Sequence, residues 1–111
     1  MLNIDYGMIS MPKGDSDSFT VTIANADGTA YVPATGESIL FEVKKAADDT
    51  VAVISKDVTS TISAGVATVE LTTTDTDIEA GVYVYGFAIK GPSTKNTFVV
   101  TGDFRVMQGV I

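Results

Sequence analysis

Three groups of side chains hold what chemistry this sequence offers by type and spacing. Asp15 and Asp17 alternate in the run Gly14-Asp15-Ser16-Asp17-Ser18, and Asp27 follows nearby. Alternating acids in a loop are one way to gather the six or more oxygens that a calcium ion takes, yet no glutamate closes the loop at the spacing that such sites use. The same residues also read as a solvated turn whose side chains bond neighbouring amides. Thr74-Asp75-Thr76-Asp77 divides in the same way, between a metal or phosphate cradle and a turn that satisfies its own backbone. The third group is Tyr6, Tyr31, Tyr83 and Tyr85, suited to a glycan or peptide groove. Tyr83 and Tyr85 fall in a strand pattern, where core packing explains them more simply.

Around these groups the composition removes most catalytic machinery. The 111 residues include no histidine, cysteine or tryptophan. The commonest general base, thiolate ligands, disulfides and the largest sugar-stacking ring are therefore missing. No pair among the 14 acids is singled out for acid–base work. The expectation is no enzyme, no catalytic residue, no metal and no cofactor. A net charge of −7 repels phosphate backbones, which argues against nucleic acid as a partner. Hydrophobic residues make up 45 %, but no apolar run reaches membrane-spanning length. The opening MLNIDYGMISMPKGD lacks the basic start and long apolar block of a signal peptide, so synthesis in the cytoplasm is expected.

The elements that must position these groups are strands. Residues 1–111 read as one domain. The most strongly patterned stretch is Thr72 to Ile89. A polar turn and Gly81 lead there into a strand with Tyr83, Tyr85, Phe87 and Ile89 on one face and Val82, Val84, Gly86 and Ala88 on the other. A strand like that belongs in mid-sheet. Phe19, Val21 and Ile23 alternate with Ser18, Thr20 and Thr22; Ile39, Phe41 and Val43 alternate with Leu40, Glu42 and Lys44; Ala67, Val69 and Leu71 share another face. Ile4 to Met11 predicts a first strand ended by Pro12, and Thr29 to Val32 a short one. Val51 to Val58 is a weak strand, with Val51 and Val53 in one register and Ile54 against it. Thr97 to Met107 is a long final strand, with Phe98, Val100, Gly102, Phe104 and Val106 on one face. No stretch keeps a helical period. The fold class is all-β, an immunoglobulin-like antiparallel β-sandwich of about seven or eight strands.

The chain ends are apolar where ends are ordinarily polar. Leu2, Ile4, Tyr6 and Met8 at one end, and Val106, Met107, Val110 and Ile111 at the other, form a candidate assembly interface. They fit equally as inner strands of the sandwich or as surface buried by a partner chain.

A resemblance adds to this reading. Met11 to Ile23 follows the pattern MxKGDSxSFxVxI, Asp27-Gly28 makes a turn, and Tyr31 to Pro33 a tyrosine–proline stretch. Ile39 to Lys45 reads IxFxVKK. Leu71-Thr72-Thr73 and Asp75-Thr76 precede Gly81, Tyr83, Tyr85, Phe87 and Ile89, and Thr97 to Val106 closes as TxxxTGxFxV. The pattern resembles the small immunoglobulin-like structural domains of phages and prophages of Gram-positive bacteria. It is similar in particular to the N-terminal domain of baseplate upper proteins. The resemblance implies a virion structural or adaptor protein of a tail, baseplate or head fibre, made in the host cytoplasm. Its partners would be other virion proteins or further copies of itself as a homo-oligomer, with no membrane and no nucleic acid. The alternative is a sandwich module that binds carbohydrate or a cell surface.

Overall fold

Alternation of apolar and polar residues sets where this chain makes strands, and the side chains that alternate inward build a single core. The computed structural model describes residues 3–5, 8–25, 27–91 and 96–108, with the backbone alone for 3–5 and 96–100. Among the described residues there are eight strands: β1 (Asn3–Asp5), β2 (Met8–Pro12), β3 (Asp17–Thr22), β4 (Ser38–Lys44), β5 (Ile54–Asp57), β6 (Val66–Leu71), β7 (Gly81–Lys90) and β8 (Asn96–Met107). A 3-10 turn at Thr59–Thr61 is the one helical piece among the described residues. Six strands form one sheet in the order β1-β2-β8-β7-β4-β5, and β3 pairs with β6 in a second. The order β8-β7-β4 set against β3-β6 is the G-F-C against B-E arrangement of immunoglobulin-type sandwiches. All pairings of these strands are antiparallel except that of β2 with β8.

The core follows the period-two pattern closely. Ile39, Phe41 and Val43 of β4, together with Ala67 and Val69 of β6, are wholly buried, and Leu71 nearly so. β7 lies between β4 and β8 and turns Tyr83, Tyr85, Phe87 and Ile89 inward. Phe19 bridges the sheets, meeting Phe41 edge-on at a centroid distance of 5.5 Å and Phe87 at 6.2 Å. Edge-on ring pairs of this kind add ~1 kcal/mol to the burial of their area.

Four elements depart from the sequence reading. The stretch expected as one strand from Ile4 to Met11 is two, β1 folded back on β2 so that Ile4 pairs with Ile9, and Pro12 is the last residue of β2. At the weak strand, Ile54 is the inward residue. It sits opposite the buried Val43, while Val51 and Val53 lie in the exposed crossing before it. Thr29 to Val32 makes only an isolated bridge between Ala24 and Ala30, and packing of Tyr31 holds the loop instead. In β8 the ladder slips: Phe87 pairs with Val100 but Ala88 pairs with Phe98. One extra residue at Val99 resets the alternation, so Phe98 does not share the register face of Phe104 and Val106.

One end of the sandwich is tied by backbone. The Lys13 N–H donates to the Met107 carbonyl at 2.7 Å and the Gly14 N–H to the Thr76 carbonyl at 3.2 Å. The Thr76 hydroxyl donates to the Asp15 carbonyl at 2.6 Å. The turns after β2 and β6 and the end of β8 are thereby held together.

Candidate functional site

Each cluster with chemical potential is used by the fold. The Asp75 carboxylate accepts the Thr72 N–H at 2.8 Å while the Thr72 hydroxyl accepts the Asp75 N–H at 3.2 Å, a reciprocal cap within one turn. Asp75 also meets Lys56 at 2.7 Å. Burial pushes the Asp75 carboxyl up, but the Lys56 bond and then those from Thr72 outweigh it, so the group stays below its ordinary value. Thr76 is completely buried, and Ile78 packs against the core. Asp17 caps its neighbour by accepting the Ser18 N–H, and Asp27 accepts both the hydroxyl and the N–H of Thr29, which lower its pKa in that order. The described residues contain no group of three acids, cysteines or histidines placed to hold a metal ion.

Three of the four tyrosines belong to the core. Tyr83 sits at the start of β7 and donates its hydroxyl to the Glu79 carbonyl four residues back, the tyrosine corner of immunoglobulin-type folds. Tyr85 is buried beside Phe41. Tyr31 is buried and donates to the Glu37 carboxylate at 2.7 Å; that carboxylate also accepts the Ala34 N–H, closing the loop between β3 and β4. Tyr6 lies outside the described residues. An exposed aromatic row for a sugar is therefore not formed by Tyr31, Tyr83 and Tyr85.

The candidate interface at the chain ends divides by position. Leu2, Tyr6, Val110 and Ile111 lie outside the described residues. The backbone of Ile4 pairs with Ile9, placing it on the outermost strand. Met8 is 37 % exposed, Met107 is half-buried, and Val106 is buried in the chain's own core. Ile9, Met11 and Phe104 are buried with it, so β2 and the end of β8 are inner strands.

A concavity lies elsewhere, on the outer face of the six-stranded sheet. A groove of about 480 Å³ runs along β7. Its floor is Val84, Gly86 and Ala88; its walls are Leu40, Glu42 and Lys44 from β4 and Thr101 and Asp103 from β8. The cause is side-chain size: the outward residues of β7 are short where those of both neighbours are long. Sequence reading placed Val84, Gly86 and Ala88 on one face, but the walls come from stretches far apart in the chain. They could not be assembled without the register.

A scan against protein-family models matches no family, and a search of curated proteins returns no match.

Proposed function

We propose that the protein is a non-enzymatic assembly or adaptor module and, following the resemblance in its sequence, a structural component of a phage or prophage virion. The observation that carries the assembly reading is where the chain ends lie. The six-stranded sheet finishes on β1, a three-residue edge strand from the apolar N-terminal segment. No described strand covers its outer side. Across β2, the same corner receives the end of β8, with Pro12 opposite Met107. An open strand edge is a template for another chain, through main-chain hydrogen bonds and apolar side chains at alternate positions. Consumption of the polar clusters by turns and caps supports a scaffold role over a chemical one. The virion role, its host-cytoplasmic origin and its protein partners rest on the resemblance alone.

Light scattering behind size exclusion tests the reading. A closed oligomer is the expected result: a self-matching edge contact gives a two-fold dimer, and a head-to-tail contact gives a ring when its rotation closes. Removing residues 1–5 should take it to monomer without unfolding it. An intact chain that stays monomeric at every concentration, alone and with tail or head proteins from the same phage or prophage, would overturn it.

A further inference from the structure

The groove floor is not uniform, and its pattern specifies a partner. Two cross-strand rows lie next to one another on the outer face. One row is Glu42, Gly86, Thr101; the other is Lys44, Val84, Asp103. They are two residues apart along the strands, or ~7 Å. Set on each other, the rows match in all three columns. Glu42 meets Lys44, a carboxylate on an ammonium. Gly86 meets Val84, a missing side chain against a branched one. Thr101 meets Asp103, a hydroxyl donor against a carboxylate acceptor. Further out along β7, Val82 is 63 % exposed and adds apolar surface to the same face.

We infer that this face binds the same face of a second copy, about a two-fold axis that crosses β7 between Val84 and Gly86. A two-fold contact must be self-complementary, with residue i on j and j on i, and the two rows meet that condition in charge, volume and hydrogen bonding. The strands of the two copies run antiparallel, within the ~30° that face-packed sheets adopt. Area is sufficient. The strands run from three residues in β1 to 12 in β8, and at ~3.3 Å along and ~4.8 Å between strands they make a face of ~650 Å², at the lower end of what a standard interface takes from each side. Charge selects the same surface. The molecule carries −7 overall, yet here Lys44, Lys90 and Arg105 accompany Glu42, Asp57 and Asp103. Two copies repel through most orientations and not through this one.

This inference deepens the assembly reading, and it is tested apart from the strand edge. Sedimentation velocity of the full chain, from about 1 μM to 1 mM, should show a monomer–dimer equilibrium. Glu42→Lys and Lys44→Glu should each weaken dimerisation about tenfold or more, because each places like charges opposite one another twice per dimer. An equimolar mixture of these two variants should form heterodimers, and the double exchange Glu42→Lys/Lys44→Glu should recover homodimers. Gly86→Leu fills the notch that Val84 enters and should leave only monomer, with its circular dichroism unchanged. A monomer across the whole range overturns the inference, and so does a dimer indifferent to all of these changes. If removing residues 1–5 abolishes association and the face variants do not affect it, the edge-strand reading stands and this one falls. The converse result upholds the face and removes the edge.

Discussion

Replacing Thr76 with valine keeps the shape of the side chain and deletes one hydroxyl. Thr76 is completely buried, and its Oγ1 donates to the Asp15 carbonyl across 61 residues of chain at 2.6 Å. The variant strips that half-buried carbonyl of its donor, a loss of ~1–3 kcal/mol. The added methyl returns under ~1 kcal/mol of transfer free energy. The net loss is ~1.5 kcal/mol, or a fall in melting temperature of ~6 °C for a chain of this length. Urea unfolding should show the midpoint reduced with its slope unchanged, because the variant exposes no new surface. The loss should also be local. Amide exchange at Gly14, whose N–H bonds the Thr76 carbonyl, should quicken, and exchange in β4 by sub-global opening should not. Thr76→Ser keeps the bond and loses only a methyl, so its exchange at Gly14 should match the parent. A valine variant within ~0.3 kcal/mol of the parent would refute the claim that this hydroxyl joins the two turns.

Three further outcomes follow from the same geometry. Tyr83→Phe removes the corner bond to the Glu79 carbonyl and should cost ~1 kcal/mol in denaturant unfolding, with no change in the ring packing. Gly65→Ala should cost more, ~2–4 kcal/mol, since φ is +81° there and a Cβ would stand 2.7 Å from the Ile23 carbonyl oxygen, which also accepts the Tyr31 N–H; a variant that melts like the parent would count against this packing. Burial, then the bond to Glu37 and the charge of Glu37, push the Tyr31 hydroxyl up to about 12 from 10.0. A raised folded pKa means stability fully present below pH ~10 and lost between ~10 and ~12, by up to ~3 kcal/mol, and Tyr31→Phe should remove that part of the alkaline limb.

Much of the fold was legible because a half-buried strand writes its two faces directly into the sequence. β3, β4, β6 and β7 show this in Phe19 against Thr20, Phe41 against Glu42, Val69 against Glu70 and Phe87 against Gly86. Where the pattern broke, long-range structure had decided. Ile54 turns inward because it pairs with Val43, a fact about β4 and not about the run Val51 to Val58. The slip at Val99 leaves only an ambiguous local trace, since the apolar run Phe98-Val99-Val100 fits either register. Nor does the sequence say that β2 lies parallel to β8, or that two strands alone form the second sheet. The tyrosine corner had a signal, a tyrosine two residues after the glycine that opens a central strand, but the strand pattern had already assigned Tyr83 to the core. The turn at Thr72–Asp77, one of the two readings of Thr74-Asp75-Thr76-Asp77, was legible because its bonds are local. The groove was not, because its matching rows combine residues 42–44, 84–86 and 101–103.

The parallel pairing of β2 with β8 also decides how the molecule bears tension. A pull on Met8 from its N-terminal side and on Met107 from its C-terminal side draws these neighbouring strands in opposite directions along their length. The four paired positions from Ile9–Phe104 to Pro12–Met107 are then loaded in shear and must yield together, not one after another as in an unzipping hairpin. Rupture also has to drag Ile9, Met11, Phe104 and Val106 out of the core in the same event. Single-molecule stretching should record one high rupture force along this axis and a much lower one when the handles are moved to the hairpin of β4 and β5. Under load along this axis the β2–β8 pair would act as a shear clamp.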